Sequence, residues 1–460
     1  MKKDNSDNFT PMMKQYQEIK SRNPGHILFY RLGDFYEMFF DDAKTASKVL
    51  NITLTTRGKH LGIEIPLAGF PHHQINSYLS KMVKAGYKVA VCDQTENPKY
   101  AKGIVKRDIT EIITAGTALS EEIIEKNTNN YIAAIYRKNN TRFGFSAADI
   151  STGEFLACDP ENETELKEII MLFNPSEILV STNEQALFES GKSTITKIED
   201  CKFLSGGAAE ILKKHFKISS ISSFGFKEED IAVTCAEVLL EYLSENIKSG
   251  FTHLDKLKKY NDKNICVIDY RTRKNLEITE PVNSDGNKDA TLYSVMNKTK
   301  TPMGARLLRK WLTQPLRDKI EINNRLEITE KLLKETYQRK KITALLSEIA
   351  DIERLSGKIS ANRIRPDELI RLKNSLLLIP ELKKHLSEIV SPYIKQLYES
   401  FVCNQSCIEF IENSIIETDG LNLKEKRFIK SGYSKELDEL YEIIDHGKEK
   451  LLELSDSVKK

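Results

Sequence analysis

No stretch of this 460-residue chain is long and apolar enough to cross a bilayer. The start, Met1-Lys2-Lys3-Asp4-Asn5-Ser6, carries charges with no apolar segment behind them, so it does not read as a secretory leader. A disulfide framework is missing as well. The seven cysteines are scattered and odd in number, which fits reduced thiols in a cytoplasmic protein. Zinc-ligand spacing is absent: His72-His73 has no cysteine or carboxylate at ligand distance in sequence, and Cys403 and Cys407 have no second pair. Net charge is slight, only +2. These absences argue against membrane, disulfide-scaffold and zinc-module classes.

What is present is a soluble, globular composition, 40% hydrophobic and 30% charged. The length implies roughly three domains. The charge is uneven: residues 1–120 hold 17 Lys+Arg against 12 Asp+Glu, a net +5 that leaves −3 for the rest. A modestly basic N-terminal module suits contact with a polyanion. Residues 1–10 are polar and expected to be disordered. Thr10 as N-cap and Pro11 at the first helical position predict a helix over 11–22. Strands are expected at 26–30 and 87–92, helices at 41–50 and 74–86, and a loop around Pro66, Gly69 and Pro71. The whole reads as a small α/β domain over 11–118. A polar linker, 119–130, leads to a second α/β domain over 131–252, with strands near 131–136, 142–149, 153–157 and 177–180 and a helix over 163–173. From 255 to 460 the periodicity turns helical, with helices expected at 306–312, 319–333, 339–355, 366–378, 381–396, 407–416 and 435–454. The last is still running when the chain stops, which reads as an interruption.

The most informative segment is Phe29-Tyr30-Arg31-Leu32-Gly33-Asp34-Phe35-Tyr36-Glu37-Met38-Phe39-Phe40. In an extended chain residues i and i+2 face the same way, so Phe35 and Glu37 offer a flat ring beside one carboxylate. Such a ring can wedge between stacked bases, and the carboxylate can meet a base edge. Tyr30, Phe39 and Phe40 are expected in the core. Arg57 and Lys59, in a glycine-containing turn, are candidates for phosphate contact. Two enzyme readings need weighing. Ala186-Leu187-Phe188-Glu189-Ser190-Gly191-Lys192-Ser193 fits a permissive phosphate-loop pattern, yet bulky residues fill the loop and a strand pattern follows, where a phosphate cradle leads into a helix. Asp149 at a strand end could belong to a two-metal nuclease, but no convergent carboxylates accompany it, and Asp also caps turns.

An ordered set of motifs joins this segment: Thr10-Pro11-Met12-Met13, Leu54-Thr55-Thr56-Arg57-Gly58, Ile65-Pro66-Leu67-Ala68-Gly69-Phe70-Pro71-His72-His73 and Val89-Ala90-Val91-Cys92-Asp93-Gln94. Further on come Thr272-Arg273-Lys274-Asn275-Leu276-Glu277, Thr301-Pro302-Met303-Gly304-Ala305-Arg306 and Ser431-Gly432-Tyr433-Ser434-Lys435-Glu436-Leu437-Asp438. Together they resemble the N-terminal half of the MutS family of DNA mismatch-repair proteins. The resemblance implies a mixed-sheet mismatch-binding module, a ribonuclease-H-like connector and an all-α lever or core domain that stops near a clamp junction. It implies binding of double-stranded DNA with mismatches or small loops, with Phe35 as wedge and Glu37 at the displaced base. It further implies homodimers, recruitment of MutL and a cytoplasmic, nucleoid-associated setting with no membrane contact. In the family, ATP and Mg belong to a C-terminal ATPase, so no cofactor and no enzyme activity are expected of the residues here. The alternative is a ribonuclease-H-like nuclease or NTPase acting through Asp149 or Gly191-Lys192-Ser193.

Overall fold

A computed structural model describes residues 9–60, 63–96, 103–139, 141–183, 193–204, 208–248, 250–283, 285–417 and 427–458. The chain forms two compact units, one of residues 1–319 with 356–363, the other of 320–355 with 364–460.

The first unit opens with α1 (Pro11–Arg22), where the Thr10 side chain accepts from the Met13 amide and Pro11 stands at the first turn. Met13, Tyr16 and Ile19 form its buried stripe. Then follow β1 (Ile27–Leu32), β2 (Phe35–Phe39), α2 (Phe40–Leu50), β3 (Thr55–His60), β4 (Ile63–Pro71), α3 (Ile75–Lys84), β5 (Val89–Gln94) and β6 (Arg107–Ile113). They make a six-stranded mixed sheet in the order β3-β4-β2-β1-β5-β6. One face carries Phe29, Tyr36, Met38 and Phe70 onto Ala43, Ala46, Leu79 and Met82 of α2 and α3. The other carries Leu28, Tyr30 and Phe39 onto Met13, Tyr16 and Ile19 of α1. Tyr30 and Phe39 are fully buried, while Phe40 is half-buried at the strand-to-helix junction.

Two local readings from sequence are corrected here. The segment around Pro66, Gly69 and Pro71 is strand β4 rather than a loop. Prolines fit because Pro71 ends the strand opposite Phe35, and Pro66 lies past the β2 pairing, beside Thr56 of edge strand β3. Arg57 and Lys59 sit on β3 rather than in a turn. Gly58, at φ +68, makes an irregularity between Thr56 and Lys59, which is why the stretch looks like a turn in sequence.

The second α/β region comprises β7 (Ile132–Asn139), β8 (Arg142–Asp149), β9 (Glu154–Cys158), α4 (Glu163–Phe173), β10 (Glu177–Ser181), β11 (Thr194–Ile198), α5 (Asp200–Leu204), α6 (Ala208–Phe216), α7 (Ile231–Asn246) and the short β12 (Lys258–Lys259). Its mixed sheet runs β11-β10-β7-β8-β9-β12. The apolar helix α7 packs on one face through Ala232, Cys235, Ala236 and Leu239, and α4 covers the other through Leu166, Ile169 and Phe173. A buried cluster joins this region to the first. Glu177, wholly inaccessible, accepts from Gly116 N at 3.2 Å, Thr196 Oγ1 at 2.6 Å, Tyr242 Oη at 2.7 Å and the Thr114 hydroxyl, with Lys88 Nζ at 3.2 Å. Lys88 directly precedes β5 of the first sheet. The unit continues through α8 (Tyr270–Asn275), α9 (Leu292–Met296) and α10 (Pro302–Thr313), the last capped by Thr301.

The second unit is helical: α11 (Lys319–Lys334), α12 (Thr336–Glu348), α13 (Ile352–Ser360), α14 (Pro366–Leu377), α15 (Ile379–Ser387), α16 (Pro392–Glu399), α17 (Gln405–Ser414) and α18 (Lys435–Val458). α11 and α13 each have residues in both units. Two single helices expected at 339–355 and 381–396 are each broken in two. The breaks fall at Ile349-Ala350-Asp351 and before Pro392, whose ring cannot sit in a helix interior. Leu355, Leu372, Ile411 and Ile415 form an apolar core between the helices. Among the described residues no helix is long and apolar enough to cross a membrane.

Candidate nucleic-acid interface

The site is built at the open end of the first sheet. β1 and β2 are joined by the two-residue turn Gly33-Asp34, with Leu32 paired to Phe35. Gly33 takes φ +56, the positive angle that tight hairpins require at this position. His72, just past β4, braces the turn. Its amide donates to Asp34 O at 2.8 Å, and its Nδ1 lies 3.2 Å from the same oxygen. This is the place the structure gives the His72-His73 pair.

Strand alternation then does the sorting. Tyr36 and Met38 point into the core, and Phe35 and Glu37 point to the opposite face. Farther along that face Phe39 lies under Tyr16 of α1, ring centroids 4.9 Å apart. Phe35 lies beyond this cover and is 47% exposed, a large apolar ring at a hairpin tip. The back of the hairpin is held firmly. Tyr36 Oη donates to Asp93 Oδ2 at 2.7 Å, and Arg31 lies over the Tyr36 ring, 3.8 Å from Asp93. Burial first, then the bond to Asp93, pushes the Tyr36 phenol well above its ordinary range, so it remains a neutral donor.

Glu37, half-buried, is paired across the ladder with Gly69 of β4. Its Oε2 receives Arg57 Nη1 at 2.7 Å. Phe35, Glu37, Thr53, Thr55, Leu67 and Gly69 line an open cleft of about 430 Å³. Spacing in the sequence put Phe35 and Glu37 on one face and named Arg57 apart from them; the fold brings Arg57 to Glu37. Sequence reasoning missed Gly69, which in sequence looks like a breaker between two prolines. For Lys59 the backbone is described, paired with Glu64, and its side chain lies outside the described residues.

The nuclease reading through Asp149 finds no support among the described residues. Asp149 is fully buried, and its carboxylate is already filled by Asn129 Nδ2 at 2.9 Å, Asn130 N at 3.2 Å, Ser151 N at 2.9 Å and Ser151 Oγ at 2.6 Å. A carboxylate has about four lone-pair directions, so this one caps the turn after β8. Among the described residues no cluster of His, Cys, Asp and Glu could hold a metal ion. Gly191 and Lys192 lie outside the described residues; Ser193 donates to the Pro175 carbonyl at 2.6 Å.

Fold and site define a class: two mixed-sheet α/β regions ahead of a helical region, with an exposed aromatic at a braced hairpin tip beside a carboxylate. Residues 10–122 match MutS domain I, 130–257 match MutS domain II, and 271–460 match MutS domain III. The chain belongs to the MutS family. Its curated relatives include the DNA mismatch repair protein MutS of Syntrophomonas wolfei, 36% identical over 98% of this chain and 53% of the relative. Those of Alkaliphilus oremlandii, 37% identical over 98% and 52%, and Caldicellulosiruptor bescii, 40% identical over 96% and 50%, are similar. The chain spans about half the length of the curated relatives it matches.

Proposed function

We propose that this chain binds double-stranded DNA at mismatches or small loops, with Phe35 as the wedge and Glu37 meeting the displaced base. The observation that carries the reading is the half-exposed Phe35 ring on a braced hairpin tip, two residues from a carboxylate on the same face. A mispair stacks and pairs poorly, so opening it costs less than the few kcal/mol of an intact step. A wedge selects for that deformability rather than for sequence. The match to MutS domain I over this module supports the assignment. Arg57 and Lys59 add positive charge on β3. The second α/β region, joined through Glu177, would relay DNA binding to the rest of a full-length protein and to repair partners, MutL and a second subunit among them. On this reading the residues here act by binding and not by catalysis, ATP and Mg being matters for the family's ATPase domain, in a cytoplasmic setting at the nucleoid.

The test is binding of the chain to a G·T duplex and its matched control at low and moderate salt. Selective binding abolished by Phe35→Ala is expected. Equal, strongly salt-sensitive binding to both duplexes, or none, overturns the reading for this chain.

A further inference from the structure

Arg57 and Glu37 form an ion pair although their strands are not neighbours, since β4 lies between β3 and β2. Two strand spacings amount to about 10 Å. The heads nevertheless meet at 2.7 Å, with the Arg57 side chain reaching across β4, while Glu37 itself pairs with Gly69 of β4. A Cβ on Gly69 would lie 3.3 Å from Glu37 Cγ and 3.0 Å from the Tyr36 carbonyl. The φ of Gly69 is not left-handed, so backbone conformation does not call for glycine here. Clearance does: the missing side chain leaves room for the Glu37 stem in the floor of the cleft beside Phe35.

We propose that Arg57 is a positioning residue that sets DNA specificity through Glu37. Reaching across β4, it holds the carboxylate beside the wedge and cancels its charge against the approaching phosphates. This inference rests on the wedge reading above. A bare carboxylate on a DNA-facing surface repels the backbone at every site, matched or not. Held by Arg57 through Oε2, it keeps Oε1 to accept from a base-edge donor. Arg57 thus does its main work on the acid and not on a phosphate.

The test is a double-mutant cycle in the full chain: Arg57→Met, Glu37→Gln and both together, with anisotropy on the G·T duplex and its matched control at two salt concentrations. Arg57 is half-exposed, so the variants are expected to fold, and a thermal melt checks this. Arg57→Met should weaken heteroduplex binding on the order of tenfold, the scale of a charge pair at an interface. In the Glu37→Gln background most of that loss should vanish. Gly69→Ala, which crowds Glu37, should weaken binding in the same direction with Arg57 intact. An equal loss in both backgrounds, with the salt slope falling by about one, would make Arg57 a phosphate contact and overturn the proposal. Phe35→Ala separates the two failures. If it abolishes heteroduplex preference and the cycle is additive, only the role of Arg57 falls; if preference survives it, or the unmodified chain binds neither duplex, the wedge reading falls and takes this one with it.

Discussion

At the scale of single residues, the chain places carboxylates in three different environments and asks a different thing of each. Glu37 is paired and open to the cleft. Asp149 is filled by protein donors and fixes a turn. Glu237, on α7, is buried, and its Oε2 has no hydrogen-bond partner among the described residues. Burial, and secondly the neighbouring Glu241, push its carboxyl up to about 7. The native state therefore holds a proton that the unfolded chain releases near the ordinary value of 4.5. Stability from this group is fully present below that value, declines as pH rises, and is lost once pH passes about 7. Glu237→Gln keeps the neutral shape at every pH. The variant should melt at the same temperature as the parent near pH 4 and above it at pH 8, read by thermal scans across that range. A constant difference at all pH values would mean that the titration of Glu237 does not contribute.

At the scale of elements, the junction between the two α/β regions gathers most of its buried polar contacts on one acid. Glu177 of β10 gathers donors from the chain after β6 (Thr114, Gly116), from β11 (Thr196), from α7 (Tyr242) and from the residue before β5 (Lys88). Removing one side of a buried ionic cluster strands the rest, typically by roughly 3–5 kcal/mol. Glu177→Ala should cost about that much, measured by denaturant unfolding, while Lys213→Ala on α6, which removes an ion pair with the exposed Glu228, should cost little. Elements of this kind were legible in sequence when their signals were local. The Thr10-Pro11 start, strand β8 and helix α4 stand where periodicity and capping put them. The misses came where a partner strand overrides local chemistry. Pro66, Gly69 and Pro71 spell a loop until β2 and β3 flank them, and Gly58 spells a turn until β4 pairs across it. The candidate site was half legible for the same reason. Spacing alone put Phe35 and Glu37 on one face, but the meeting of Glu37 with Arg57 depends on strand order, which no local pattern encodes.

At the scale of the whole molecule, the chain crosses between its two units three times, because residues 356–363 belong to the first unit although their neighbours on both sides belong to the second. The excursion is tightly fitted. A Cβ on Gly357 would come within 2.7 Å of Ser151 O and 2.9 Å of Ile150 O, just past β8. Ala361 is buried in the same core as α7, Lys358 lies 3.6 Å from Glu121, and Arg363 pairs with Glu111 of β6. A side chain at position 357 therefore strains the first unit while standing in the sequence of the second. Gly357→Val should lower hydrogen-exchange protection across 142–158, where β8 and β9 carry that core, through overpacking of the kind that costs about 1–3 kcal/mol. Protection across 366–414, in the core of the second unit, should stay as it is. Equal loss in both stretches would show the units opening as one, and then the division of the chain by contacts would not be a division of its stability.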